Sequence, residues 1–241
     1  MIMHIQEIEN PLHIVAPKMM CDTPLSDHIP EPLPNKSHFM VIVGAPGQGK
    51  TSTMVSLLTS IGANKAYRGV FENVFIFMPP NSRASLGNKL FDKHNPEKVY
   101  DELTPETLND VYEKVKHEAS EGYNSLIVLD DVGAALKNKE NERLLKNLVW
   151  NRRHLRTSIW SIQQTYSSLP LTIRKSISHL IMYACRNKRE YYSVFDELIQ
   201  QDKDDADEIT RYIFKKAHTF MFLDCESGDI YKNFNKLIIE K

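Results

Sequence analysis

Eight consecutive residues, Gly44-Ala45-Pro46-Gly47-Gln48-Gly49-Lys50-Thr51, fit the pattern G-x-x-x-x-G-K-[ST], with the apolar run Phe39–Val43 before them and the helix-capable Ser52-Thr53-Met54 after them. Glycines let backbone amides turn inward around phosphate oxygens, and the amino end of the next helix adds positive partial charge. Lys50 can then reach the β and γ phosphates of a nucleoside triphosphate, the Thr51 hydroxyl can bind Mg²⁺, and Ser52 ends the nucleotide-binding stretch. Further along, Ser125-Leu126-Ile127-Val128-Leu129-Asp130-Asp131 reads as a buried strand that delivers two carboxylates at its carboxyl end, where open α/β sheets bind ligands. Asp130 is the expected Mg²⁺ partner. Asp131 is expected to orient and polarise the attacking water, because phosphoryl transfer needs a positioned nucleophile more than covalent chemistry. A third polar tip, Gln163-Gln164-Thr165, ends the run Ser158–Ile162. A γ-phosphate sensor occupies that place in ATPases with an extra strand between the loop strand and the acidic strand.

Other chemistries lack their residues. Nine histidines form no His-Glu-x-x-His, and the three cysteines, Cys21, Cys185 and Cys225, are far apart with no Cys-x-x-Cys, against a zinc site or a disulfide framework. No Gly-x-Ser-x-Gly elbow occurs, and Cys185 ends an apolar strand, so it reads as core and not as a nucleophile.

The elements that must position these groups follow from hydropathy. Apolar runs at Phe39–Val43, Asn73–Met78, Ser125–Leu129, Ser158–Ile162 and His179–Ala184 alternate with helical stretches near 50–61, 105–119, 139–152, 171–177 and 189–201. Continuous apolar strands separated by helices imply an α/β fold, with a mainly parallel sheet covered on both faces. Numbering those five strands along the chain, the expected order is 5-1-4-3-2. Thr219–Leu223 and Ile230–Phe234 flank Glu226-Ser227-Gly228-Asp229 and read as a C-terminal β-hairpin. Six of the 12 prolines fall in the first 34 residues, so residues 1–36 read as an extended arm that lies across a neighbouring surface, and 37–241 as one domain.

The chain has 241 residues, a formal net charge of −1 and 41% hydrophobic residues. That is enough for a sizeable core, and it excludes a globally basic nucleic-acid coat. No apolar run approaches the roughly 20 residues of a membrane span, and no signal peptide is evident, so a soluble, intracellular protein is expected. Charge is unevenly spread. Residues 137–156 hold seven basic against two acidic residues, a net +5, and residues 196–208 hold seven acidic against one basic, a net −6. These are solvated helix faces, a contact between like subunits, or a basic rim for DNA phosphates.

The phosphate loop, Leu129-Asp130-Asp131, the stretch Asn151-Arg152-Arg153-His154, and Gln164-Thr165-Tyr166-Ser167-Ser168-Leu169-Pro170-Leu171-Thr172-Ile173-Arg174 together resemble the genome-packaging ATPases of large cytoplasmic DNA viruses and virophages, of the FtsK/HerA superfamily. The resemblance covers roughly residues 37–185. It implies a RecA-like, additional-strand P-loop NTPase that uses ATP and Mg²⁺ and forms a ring of identical subunits, a pentamer or hexamer. Such a ring moves double-stranded DNA into a preformed capsid and works with a capsid or portal-vertex component in the host cytoplasm (viral factory) and in the virion. Carried over by position, Arg153 resembles the arginine that completes a neighbour's site, and its spacing to Gln164 selects Gln164 over Gln163 as sensor. Guanidinium suits the arginine role because it stays charged and grips phosphate oxygens in a planar fork. Asp131 stands where many relatives have Glu. Arg174 matches a recurring position whose role stays open between DNA contact, interface and helix-end packing. Other P-loop work, such as a secretion or assembly motor, a helicase loader or a nucleotide-dependent scaffold, is the alternative reading. A kinase would carry an arginine-rich lid, where residues 186–189 offer only Arg186, Lys188 and Arg189.

Overall fold

The structure, a computed structural model, describes residues 23–84 and 94–240. The expected arm, residues 1–36, lies outside the described residues over 1–22. Among the described residues nine strands form one sheet: β1 (Phe39–Val43), β2 (Asn73–Phe77), β3 (Val99–Tyr100), β4 (Ser125–Asp130), β5 (Thr157–Gln163), β6 (His179–Tyr183), β7 (Phe220–Asp224), β8 (Ile230–Lys232) and β9 (Asn235–Lys236). Their order is β3-β2-β4-β5-β1-β6-β7-β8-β9. The five strands read from the sequence stand side by side as β6-β1-β5-β4-β2, all parallel. The full order differs from five strands because the sheet grows at both edges. A two-residue strand joins β2 in parallel, and the C-terminal hairpin is drawn in antiparallel against β6.

Every residue of β1, β4, β5 and β6 is buried, as strands covered on both faces must be. One face is packed by α3 (Pro105–Ser120), α4 (Lys139–Asn151), α5 (Leu171–Arg174), α6 (Lys188–Val194) and α7 (Lys203–Ile213), through residues such as Val111, Leu148, Ile173, Val194 and Ile209. The other is packed by α1 (Lys50–Thr59), through Met54 and Leu57, and by Tyr67. Leu25 and Leu33, from the described part of the proline-rich segment, are buried in that second core.

Local chemistry sets the helix starts. Thr104 and Thr107 form a reciprocal capping box ahead of α3, with Pro105 in the first turn, and the Asn138 side chain accepts from the amides of Glu140 and Asn141 to start α4. The helical stretch expected at 189–201 divides. It gives α6, a π-helical turn at Phe195–Ile199, and a left-handed Gln200 at φ +54°, after which α7 begins under an Asp202 cap. Parallel register brings the carboxyl ends of β4, β5 and β1 level, with Asp130 opposite Ile162 and Gln163 opposite Val43. The phosphate loop, the acidic pair and the glutamine pair therefore meet at one edge of the sheet.

Candidate active site

Between β1 and α1 the loop turns on Gly49, whose φ of +107° lies where a side chain is strained. Gly44 is required for a different reason. A Cβ there would sit 2.8 Å from the Cβ of Tyr183 on β6. The Tyr183 hydroxyl lies 2.5 Å from Thr53 Oγ1 and donates to the Gly49 carbonyl at 3.4 Å, so β6 braces the loop from below. No side chain caps the start of α1, which leaves its first amides free for an anion. Lys50 folds back and donates to the Ala45 carbonyl at 3.1 Å. Burial lowers its ammonium from the ordinary value, and the Asp130 and Asp131 charges oppose that.

A cavity of about 190 Å³ lies above the loop. Pro46, Gly47, Lys50 and Thr51 line it from the loop, Asp130 and Asp131 from β4, and Gln163 and Gln164 from β5, with Ser82 from α2 (Pro80–Ala84) on one side. Asp130 is 5% exposed. Burial pushes its carboxyl up to about 6 and the Asp131 charge adds to this, while Lys50 and a hydrogen bond from Thr51 pull the other way. A carboxylate held out of water beside a hydroxyl is a hard oxygen pair that suits Mg²⁺, which takes one or two protein oxygens and leaves its other positions to phosphates.

Asp131 differs from Asp130 in exposure, backbone and partner. It is exposed, adopts a left-handed φ of +55°, and accepts a hydrogen bond from Gln164 Nε2 at 3.1 Å. Backbone in that region at a site edge turns the side chain away from the strand. Gln163 is buried, donating to Ser161 Oγ at 2.8 Å and accepting from Ser168 Oγ at 3.1 Å. Of the two glutamines, Gln164 is the exposed one that touches the acidic pair. Lys50, Thr51, Asp130, Asp131 and Gln164 thus surround one cavity. Arg153 does not join them: it follows α4, four residues ahead of β5, and the seven-residue strand separates it from Gln164 by roughly 23 Å.

Three residues with a part in this geometry escape a linear reading. Tyr183 looks like one more apolar strand residue. Glu190 on α6 is 7% exposed and accepts from the amides of Tyr166 and Ser167 at 2.6 and 3.2 Å and from Ser167 Oγ at 2.7 Å. It clamps the loop that leaves Gln164. Glu197, in the π-helical turn, accepts from the Tyr166 hydroxyl at 2.9 Å and pairs with Arg174 at 3.1 Å, and the Arg174 guanidinium lies 4.9 Å from the centre of the Tyr166 ring. Arg174 is therefore packed inside the chain, at 14% side-chain exposure. Only the glutamates' distance along the sequence conceals them.

Fold and site together define a P-loop nucleoside-triphosphatase of the additional-strand type. The sequence profile of the Poxvirus A32 protein matches residues 29–191, and the chain belongs to that family. Among solved structures, it is similar to B204, the DNA-packaging ATPase from Sulfolobus turreted icosahedral virus, with TM-score 0.60 and 15% identity over 84% of this chain and 98% of that one. B204 from Sulfolobus turreted icosahedral virus 2, in complex with ATP-gammaS, matches with TM-score 0.58 and 14% identity, over the same shares. EssC from Geobacillus thermodenitrificans matches with TM-score 0.53 and 17% identity over 78% of this chain and 37% of that one. No curated protein sequence matches the chain.

Proposed function

We propose that this chain is the ATP-hydrolysing motor that moves double-stranded DNA into a preformed viral capsid. The observation that carries the reading is the meeting of Lys50, Thr51, Asp130, Asp131 and Gln164 around one cavity, in a chain of the Poxvirus A32 family whose fold is that of a DNA-packaging ATPase. The amides of Gly47, Gly49, Lys50, Thr51 and Ser52 cradle the phosphates of ATP, and Lys50 leaves the Ala45 carbonyl to neutralise the β and γ oxygens. Thr51 and Asp130 are the residues that would hold Mg²⁺, which when bound supplies charge to offset the phosphates. Asp131 orients the attacking water, and Gln164, hydrogen-bonded to it, reads the γ-phosphate.

Arg153 lies too far from the site of its own subunit to serve it, which supports a role in the site of a neighbour. The working form is then a ring of like subunits, a pentamer or hexamer, joined to a capsid or portal-vertex component in the host cytoplasm and in the virion. Among the described residues no helix is long and apolar enough to cross a membrane.

ATP hydrolysis measured with and without double-stranded DNA, alongside particle mass in ATP, tests the proposal. DNA-stimulated hydrolysis by an oligomer is expected. Transfer of phosphate to a small acceptor, or turnover indifferent to DNA, refutes it.

A further inference from the structure

The outward face of α4 is basic along its length. At 100° per residue, Lys139, Arg143, Lys146 and Trp150 fall within about a 60° arc, on the side of the helix away from the buried Asn141, Leu145, Leu148 and Val149. Lys139 and Arg143 are exposed, Lys146 is half-buried, and Trp150 is 56% exposed. Two carboxylates of the same helix stand beside the arc, and both are engaged. Glu140 pairs with Arg143 at 2.6 Å, and Glu142 accepts from Thr172 Oγ1 at 3.1 Å. The indole of Trp150 is fixed from two sides: it donates to Ser176 Oγ at 3.2 Å, and the Lys146 ammonium lies 4.4 Å from the ring centre. Lys175, exposed beside Ser176, adds a further positive charge at that end.

This face is tied to the nucleotide site at both ends. α4 begins eight residues after Asp131. Thr172 and Ser176, which bond to Glu142 and Trp150, belong to the segment that runs on from Gln164 and is clamped by Glu190. A ligand that displaces α4 therefore acts on the two stretches of chain that carry the water-orienting carboxylate and the sensor.

We propose that this face of α4 is the surface on which duplex DNA lies, held through its phosphates. The proposal rests on the motor reading above and gives the DNA its place. A motor that moves DNA of any sequence must grip the backbone and not the base edges, since phosphate contacts position the duplex without reading it. Lysine suits that work: it is a point charge on a flexible stem, able to follow one phosphate and release it to the next. The planar fork of arginine would fix a register, and here the fork of Arg143 is taken up by Glu140. Between the charges, the indole offers a flat apolar plane to the sugars.

Neutralising the two lysines tests the surface. A full-length variant carries Lys139→Gln with Lys146→Gln, thermal melting verifies its fold, and particle mass in ATP verifies its association. Each lost phosphate contact removes about 0.9 from the slope of log affinity against log salt, so with a short linear duplex the slope should fall by about 2, and affinity at roughly 0.1 M salt by about 60-fold. Trp150 supplies a second readout. The other of the chain's two tryptophans, Trp160, is fully buried, so duplex binding should change the emission of the wild type and leave that of Trp150→Phe unchanged. A double variant that binds the duplex as tightly as the wild type, or wild-type binding that leaves the emission unaltered, overturns the proposal and leaves the motor standing. Lost DNA binding with a fallen particle mass overturns it too, and assigns the face to a contact between subunits. The expected loss of affinity, in a chain whose hydrolysis the duplex never stimulates, upholds the surface and refutes the motor. A wild type that binds no duplex refutes both.

Discussion

Replacing Glu190 by alanine should damage both folding and turnover, and the structure sets the scale. The carboxylate accepts three hydrogen bonds, two from backbone amides, and its removal orphans donors in a largely buried loop. Bonds to a charged acceptor contribute about 1.5–3 kcal/mol each and do not add fully, so Glu190→Ala should cost about 2–4 kcal/mol. For a chain of this length that lowers the melting temperature by about 5–15 °C. The loop it releases begins directly after Gln164, and a displacement on the order of 1 Å there costs about 10- to 100-fold in kcat. KM for ATP should change little, because the phosphate loop is braced independently by Tyr183. Glu190→Gln keeps one oxygen for the amides and should recover part of both losses. Thermal denaturation and steady-state hydrolysis, run on both variants, check this. An unchanged melting temperature would refute the clamp, and a fallen one with unaltered kcat would refute its link to Gln164.

Asp131→Asn should keep nucleotide binding while slowing hydrolysis by about 100-fold or more; a collapse of affinity with turnover intact would reverse the roles of Asp130 and Asp131. Arg153→Ala and Lys50→Ala rings should each be inactive and regain activity when mixed, through interfaces that pair an intact phosphate loop with an intact arginine; continued silence despite verified subunit exchange would deny Arg153 its role in trans. Acid should destabilise the protein without nucleotide. His38 donates from Nδ1 to the Lys36 carbonyl and accepts from Trp160 at Nε2, both at 2.8 Å, and burial with the nearby His179 and Arg152 charges holds it down to about 3. Burial likewise brings His179 to about 4, against the pull of Asp224. The unfolded chain takes up both protons near 6.5, whereas Asp130 opposes this with one proton held below about 6 in the fold. The net is one more proton on the unfolded chain, so stability should fall by about 1.4 kcal/mol per pH unit between about pH 6 and 4. Urea midpoints across that range that stay flat or rise would contradict it.

The central strands and the phosphate site were legible because hydropathy and chemistry coincide in short windows: Phe39–Val43 runs straight into the glycine loop, and Ser125–Leu129 into Asp130-Asp131. What was hidden depends on tertiary contact. α7 carries Asp204, Asp205, Asp207 and Glu208 in its first turns and buries only Ala206, Ile209, Thr210 and Ile213, so its sequence resembles a solvated acidic turn. β3 has two residues, too few for any period. Arg174 stayed undecided because its partners, Tyr166 and Glu197, converge only after α5 and α6 pack on the sheet. The distance of Arg153 from its own cavity was not legible either, since it follows from the direction of β5.

A triplex-displacement assay reads the movement of DNA by ATP hydrolysis directly. A labelled third strand, bound at one end of a linear duplex, should be released by the wild-type chain in ATP, and not with a non-hydrolysable analogue or with Lys50→Ala. Hydrolysis stimulated by the duplex that never releases the third strand, or release that proceeds without hydrolysis, would contradict it.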